Sequence, residues 1–365
     1  MVERGAVPAL SRVHRVVRRL GRVLTSPLLP DDYFALLRPD WSARESTGTV
    51  TEVRRQRGGA VTIVVDPHFR WPGHRPGQYL RIGLEINGIR HWRAYTITSD
   101  PDHPGGLVSI TVKRTEGGKV SPFLNESLQP GRRVFLGEVE GEFTLPVPLP
   151  AKALFLSAGS GVTPVMAMLR ELERERALHD VLHIHSARDK NDVIFGTMLR
   201  RMAERNPGYR LCEVHTATEE RFSPASLDER CPDWRERQVF LSGPRKMIDA
   251  VTGHFDGAGV GDNLHVERFQ PVIGTGGGEG AGGSVRFRVS DGRAECESGV
   301  SILVGGERAG VTLPYGCRMG ICHSCVGRLR DGAVRDLRTG AVTVADGQMV
   351  RTCVSAPDGE IEIDL

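Results

Sequence analysis

"YGCRMGICHSC", residues 315–325, packs three cysteines into eleven positions of a 365-residue chain that has seven in all. Cys317, Cys322 and Cys325 are spaced C-x4-C-x2-C, and Cys353 follows downstream in "MVRTCVS". The thiols gather at one end, five of an odd-numbered set of seven falling in the last fifth. The N-terminus carries no uninterrupted apolar core of the signal-peptide kind. A reducing, cytoplasmic setting is expected.

The spacing is that of a plant-type [2Fe-2S] centre. Two ferric ions and two sulfides need about four soft anionic donors. Three on one tight loop fix one side of the cluster, and the fourth arrives from a neighbouring segment. Gly316 and Gly320 are expected to let the loop bend so that backbone N–H groups point at the sulfurs. Structural zinc usually presents two paired C-x2-C half-sites, and only one such pair is present. A dithiol at Cys322 and Cys325 leaves Cys317 unexplained, and a Rieske centre needs two histidines where only His323 is near. Cys212, Cys231 and Cys296 have no partner spacing and read as buried small hydrophobes.

Upstream of this tail, residues 274–283, "GTGGGEGAGG", read as a flexible linker, because so much glycine cannot repay its ordering entropy. Before it, apolar strands ("ALFLSAG", "VLHIHSA", "YRLCEVHTA", "QVFLSG", "NLHVERF") alternate with helical segments ("TPVMAMLRELERER", "NDVIFGTMLRRMAERN", "PRKMIDAVTGHF"). That alternation predicts a parallel sheet covered by helices. From Ser46 to about Leu145, six short β-branched or alternating segments punctuated by Gly, Pro and Asp predict a closed antiparallel barrel.

The chain therefore divides into an N-terminal extension (1–45), a β-barrel (46–147), an α/β unit (148–270), a glycine-rich linker (271–284) and a C-terminal unit (285–365). In the extension, six arginines among residues 1–24 face one acid, and Leu10, Val13, Val16, Val17, Leu20, Val23 and Leu24 recur at helical spacing. This is a basic amphipathic helix, suited to an anionic membrane face or to packing on its own protein. Overall, 25% charged and 39% apolar residues with a net charge of +3 describe an ordinary globular chain with no bulk attraction to nucleic acid. No apolar run approaches the ~18 residues of a membrane span.

"RAYTIT" (93–98), "GSGVTP" (159–164) and the cysteine-rich tail, in that order, resemble the ferredoxin-NADP reductase superfamily, in the branch that fuses a flavin domain, a pyridine-nucleotide domain and a C-terminal plant-type ferredoxin of the β-grasp fold. The resemblance covers about residues 46–365 and implies FAD, a [2Fe-2S] cluster and NADPH, with NADH as the alternative. It makes Arg93 a partner of the flavin phosphate, Tyr95 a stacking surface and Thr96 a hydrogen-bond donor to flavin N5, roles that suit a guanidinium, an aromatic face and a hydroxyl. Gly118, Val120 and Ser121 of "GGKVS" would hold the diphosphate where a helix begins, which favours FAD over FMN.

Gly159, Gly161, Thr163 and Pro164 complete the family's G-x-G-x-x-P form for the dinucleotide pyrophosphate. Ser186 and Arg188 match the position where the family reads the adenosine ribose, and look like a grip on a 2′-phosphate. Ser242, Gly243 and Pro244 stand where members often carry C-G-P beside the nicotinamide, so hydride transfer is expected to be assisted differently at Ser242.

"LTSPLLPDDYFALLRPDWSARE" (24–45) looks like actinobacterial reductases that donate electrons to membrane-bound acyl-CoA desaturases. The resemblance thus implies a relay from NADPH through FAD and the cluster to an external oxygenase. The acceptor it points to is a membrane fatty acyl-CoA desaturase or hydroxylase, with the protein held peripherally at the inner membrane face. A soluble Rieske-type ring-hydroxylating or steroid oxygenase is the rival acceptor, and a redox-sensing module the non-enzyme alternative. From Arg286 to Leu365 ten arginines oppose eleven acids, so strong electrostatic steering of an acceptor is not expected.

Overall fold

The computed structural model describes residues 46–103, 105–269, 280–316, 318, 320 and 323–365. The amphipathic segment 1–24, the motif at 24–45, most of the glycine-rich stretch, Cys317 and Cys322 lie outside the described residues.

The first unit is an antiparallel six-stranded sheet: β1 (Thr47–Gln56), β2 (Ala60–Pro67), β3 (Tyr79–Ile86), β4 (Ile89–Thr96), β5 (Val108–Lys113) and β6 (Arg133–Glu140). The order β4-β3-β6-β1-β2-β5 is closed by an antiparallel bridge from Ile97 to Ile110, which removes the sheet's open edges. Val61, Ile63 and Val65 alternate along β2 and meet Val50, Leu80, Ile82 and Ile110 inside. A seven-residue helix, α1 (Val120–Glu126), follows β5 and buries Val120 and Leu124.

The second unit is a five-stranded parallel sheet in the order β11-β10-β7-β8-β9, built from β7 (Ala153–Ala158), β8 (Val181–Ala187), β9 (Tyr209–His215), β10 (Gln238–Ser242) and β11 (Leu264–Glu267). α2 (Val162–Arg174), α3 (Gly196–Arg205), the single turn α4 (Leu227–Arg230) and α5 (Arg245–Gly257) cover it. All five predicted strands are present. The predicted helix "NDVIFGTMLRRMAERN" begins later, at Gly196. Asp189 Oδ1 accepts the amides of Asn191 and Asp192 in a turn, and Phe195 adopts a left-handed φ of 60°.

The two units share a core, for Ala60, Phe143 and Leu145 pack with Phe155, Val165 and Met168. A Lys113–Asp192 ion pair at 2.9 Å and the Gly58 amide on the Asn191 carbonyl also join them. These ties hold the C-terminal ends of β7 and β8 against the barrel.

The third unit is a β-grasp. Its sheet runs β13-β12-β19-β14-β17, from β12 (Gly283–Phe287), β13 (Gly292–Cys296), β14 (Val326–Asp331), β17 (Met349–Arg351) and β19 (Ile361–Asp364). β12 and β19 are parallel, and α6 (Ile302–Arg308) crosses the inner face. A small sheet of β15 (Ala333–Asp336), β16 (Val342–Val344) and β18 (Ser355–Pro357) completes it.

The end of the glycine-rich stretch is sheet rather than linker. Gly282 bridges to Asp358, and a Cβ at Gly283 would lie 1.7 Å from the Gly359 carbonyl oxygen. Glycine there serves close strand approach.

Cys231 and Cys296 are buried as expected, and burial pushes both thiols up to about 11. Cys212 departs from the expectation: it is half-buried, and its sulfur accepts a hydrogen bond from Arg230 at 3.2 Å.

Candidate functional site

A cleft of about 710 Å³ opens along the barrel and brings together Arg93, Tyr95, Thr96, Gly118, Val120 and Ser121. Arg93, Tyr95 and Thr96 arrive on β4, and the other three at the start of α1. Burial raises the Tyr95 phenol above its ordinary range, so the ring is a neutral face. Ser121 Oγ accepts the Thr115 amide at 3.1 Å, which leaves its hydroxyl proton to point elsewhere. α1 is two turns long, so its end supplies little field, and the nearby cations Arg93 and Lys119 supply the positive charge. A cleft of this size with an aromatic wall and basic rim fits a flavin nucleotide.

The opposite wall is Ser160 and Thr163, from the turn between β7 and α2. Thr163 Oγ1 donates to the Ser160 carbonyl at 3.0 Å and lies 3.5 Å from Thr96 Oγ1. Gly159 turns with φ 54°. Gly161 is needed for a protein contact, since a Cβ there would fall 2.0 Å from the Ser242 carbonyl oxygen. The motif's second glycine thus lets α2 start directly against the end of β10. Pro164 sits in the first turn of α2.

Ser242 ends β10 and Ser186 is the last residue but one of β8, and among the described residues neither buried hydroxyl has a hydrogen-bond partner. Orphaned buried hydroxyls are costly, and two at the C-terminal edge of a parallel sheet could be completed by polar groups of a ligand. Arg188 is exposed just beyond Ser186. Gly243 packs within 3.3 Å of Ala158 Cβ for a built Cβ, and Pro244 sets up the start of α5.

Glu267 and Phe269 were not singled out by the sequence reasoning. Glu267 is the register partner of Ser242, and Phe269 lines the flavin cleft. The visible signal was an acid closing a half-buried strand, "NLHVERF". Desolvation pushes the Glu267 carboxyl up to about 7, against one amide hydrogen bond from Arg268.

The folded state therefore favours the protonated acid. Its stabilising contribution is full below the ordinary value and is lost as pH rises through about 7. Glu267→Gln is expected to lessen the fall in Tm between about pH 5 and about pH 8, as read by thermal scans of both proteins.

Of the four candidate sulfur ligands, Cys325 and Cys353 are described, and both are buried. The Gly320 amide donates to Cys353 Sγ at 3.2 Å. The bends differ from expectation: Arg318, Gly320 and His323 take left-handed φ values of 59°, 74° and 55°, while Gly316 does not. Arg318 pays for this with a bond to Glu307 at 2.7 Å and a stack on Tyr315. Gly320 cannot carry a side chain, since Val354 would lie 2.7 Å from its Cβ. A loop that turns an amide onto a buried cysteine sulfur suits an iron–sulfur cluster. Gly316, next to Cys317, lines the flavin cleft.

Comparison with known proteins agrees with this geometry. The chain matches an oxidoreductase FAD-binding domain over residues 69–144, an oxidoreductase NAD-binding domain over 155–253 and a 2Fe-2S iron-sulfur cluster binding domain over 288–358. It is 42% identical to an NADPH oxidoreductase of Mycobacterium tuberculosis, over 96% of this chain and 92% of the relative. It is 32% identical to the glycine betaine monooxygenase reductase subunit of Pseudomonas aeruginosa, over 80% of this chain and 87% of the relative. Phthalate dioxygenase reductase has the same fold, with a TM-score of 0.58, 21% identity and coverage of 89% and 99%.

Proposed function

This chain belongs to the ferredoxin-NADP reductase superfamily, in the branch that ends in a [2Fe-2S] domain, and on that premise we propose that it is the NADPH-consuming reductase of a membrane-bound acyl-CoA desaturase or hydroxylase. The coarser statement is plain: it is an NAD(P)H oxidoreductase that carries electrons through FAD to a [2Fe-2S] cluster. A flavin supplies the conversion of a two-electron donor into single electrons, which a cluster accepts.

The observation that carries the relay within the chain is the shared cleft. Tyr95 and Thr96 from the barrel, Thr163 from the α/β unit and Gly316 from the cysteine loop all line it. We assign Arg93 to the flavin phosphate, Tyr95 to the ring face, Thr96 to N5, and Gly118, Val120 and Ser121 to the diphosphate. Gly159, Gly161, Thr163 and Pro164 form the pyrophosphate turn. Ser186 and Arg188 grip the 2′-phosphate, Ser242, Gly243 and Pro244 face the nicotinamide, and Cys317, Cys322, Cys325 and Cys353 hold the iron. We place the first two units at 46–147 and 148–270, and the third, expected at 285–365, from Gly282 onward because Gly282 already bridges to Asp358.

Support for NADPH comes from the Ser186 and Arg188 pair and from the name of the mycobacterial relative. That match, over 96% of the chain, must take in part of the first 45 residues, which include the desaturase-type motif and the arginine-rich sequence of 1–24. Among the described residues no helix is long and apolar enough to cross a membrane, and we assign membrane contact to the arginine-rich segment 1–24 on its charge and apolar spacing. The glycine betaine relative, by name a monooxygenase reductase subunit, supports the rival reading of an oxygenase other than a desaturase as acceptor.

Deleting residues 1–24 is expected to leave ferricyanide and cytochrome c reduction unchanged and to weaken turnover of a desaturase in vesicles several-fold. Equal turnover by the truncated protein contradicts the membrane assignment. In stopped-flow mixing, NADPH is expected to bleach the flavin rapidly, whereas a redox sensor would show no such phase.

A further inference from the structure

We infer that Arg338, clamped by Asp336 with Nη1 beside Gly320, raises the reduction potential of the [2Fe-2S] cluster. The inference rests on the cluster assignment above and concerns a residue outside every motif in the sequence. Arg338 lies in the turn between β15 and β16. Asp336 Oδ1 accepts its amide at 2.8 Å and its Nε at 3.1 Å, and Oδ2 accepts Nη2 at 2.7 Å. Among its nitrogens, Nη1 has no part in this clamp, and a Cβ built on Gly320 would lie 3.0 Å from it.

Gly320 is the residue whose amide donates to Cys353 Sγ. The hairpin is also pinned beside that cysteine, for the Leu337 amide donates to the Val354 carbonyl at 2.7 Å. The guanidinium is held by its Asp336 hydrogen bonds first, and its charge also interacts with Cys353 and with Tyr79 of the barrel. The ion pair therefore presents its positive end to the Gly320 side of the cysteine loop, beside Cys353.

Reduction adds one negative charge to the cluster. A half-buried cation on the sulfur side stabilises the reduced state more than the oxidised one, because screening is weaker there than at the surface. Arg318 differs in being stacked on Tyr315 and paired on the α6 side with Glu307. Arg338 is a positioning and tuning group that touches no substrate.

The test is equilibrium potentiometry of the reconstituted holoprotein, with the reduced cluster read by its electron paramagnetic resonance signal. Arg338→Gln is expected to lower the ratio of reduced to oxidised cluster about tenfold at a fixed ambient potential, which is ~59 mV for one electron. Arg338→Lys should recover most of the loss. Asp336→Asn, which removes the counter-charge, should move the potential upward. Arg286→Gln, at an exposed sheet arginine paired with Glu362, should change little.

The inference is overturned if Arg338→Gln shifts the potential no more than Arg286→Gln does, or if Asp336→Asn moves it downward. Should Arg338→Gln fail to fold, the lysine and asparagine variants decide by the signs of their shifts. A wild-type protein with no iron or no signal would defeat the cluster assignment itself, an outcome distinct from an unchanged potential in a loaded variant.

Discussion

Cys353→Ser is expected to cut NADPH-driven cytochrome c reduction by about 100-fold or more, while ferricyanide reduction stays within about twofold. Cys353 is buried and receives the Gly320 amide, so the change removes both a soft ligand and the acceptor of the loop's own hydrogen bond. Serine is a harder, weakly acidic donor, and iron loading or cluster lifetime should fall with it. Ferricyanide is small enough to take electrons at the flavin cleft, which lies mainly on the barrel and the α/β unit. Parallel loss of both activities would mean that the third unit is needed to fold the other two. Visible spectra separate these outcomes, since the flavin bands should persist in the variant.

Gly161→Ala is expected to raise the KM for NADPH by about tenfold or more and to cost about 1–3 kcal/mol of stability, with flavin content unchanged. The added methyl would meet the Ser242 carbonyl oxygen at 2.0 Å and its carbon at 2.5 Å, both backbone atoms that cannot swing aside. Either the start of α2 or the end of β10 must move. Both border the orphaned Ser242 hydroxyl, so the coenzyme side is disturbed while the Arg93 and Tyr95 wall stays in place. Steady-state kinetics with bound flavin measured in the same preparation checks the split.

The units of the fold were legible because each follows from local pattern. Alternation along β2, the apolar strands of the parallel sheet and the C-x4-C-x2-C spacing each lie within a dozen residues. What was hidden depends on register and on distant contacts. Glu267 matters through its pairing with Ser242, 25 residues away, and no short window shows that pairing. Phe269 and Gly316 line the cleft only because the chain returns to the barrel twice. The bend of the cysteine loop at Arg318 and His323 was hidden for another reason. Non-glycine residues rarely take positive φ, and here the Glu307 and Tyr315 contacts hold Arg318 in place.

The late start of α3 has a similar cause. Its sequence has helical periodicity from Asn191, but Asp189 captures the amides of Asn191 and Asp192 in a turn. That turn puts the Asp192 carboxylate on Lys113 of the barrel. Local propensity gave way to an interdomain ion pair whose Lys113 lines the cleft.

Anaerobic stopped-flow mixing of the holoprotein with NADPH, followed at flavin and cluster wavelengths, tests the central claim most directly. One FAD and one [2Fe-2S] cluster per chain are expected, with flavin bleaching first and cluster bleaching after it. Reconstituted protein that holds neither iron nor a yellow chromophore, or a cluster that stays oxidised while the flavin is fully reduced, would contradict the account.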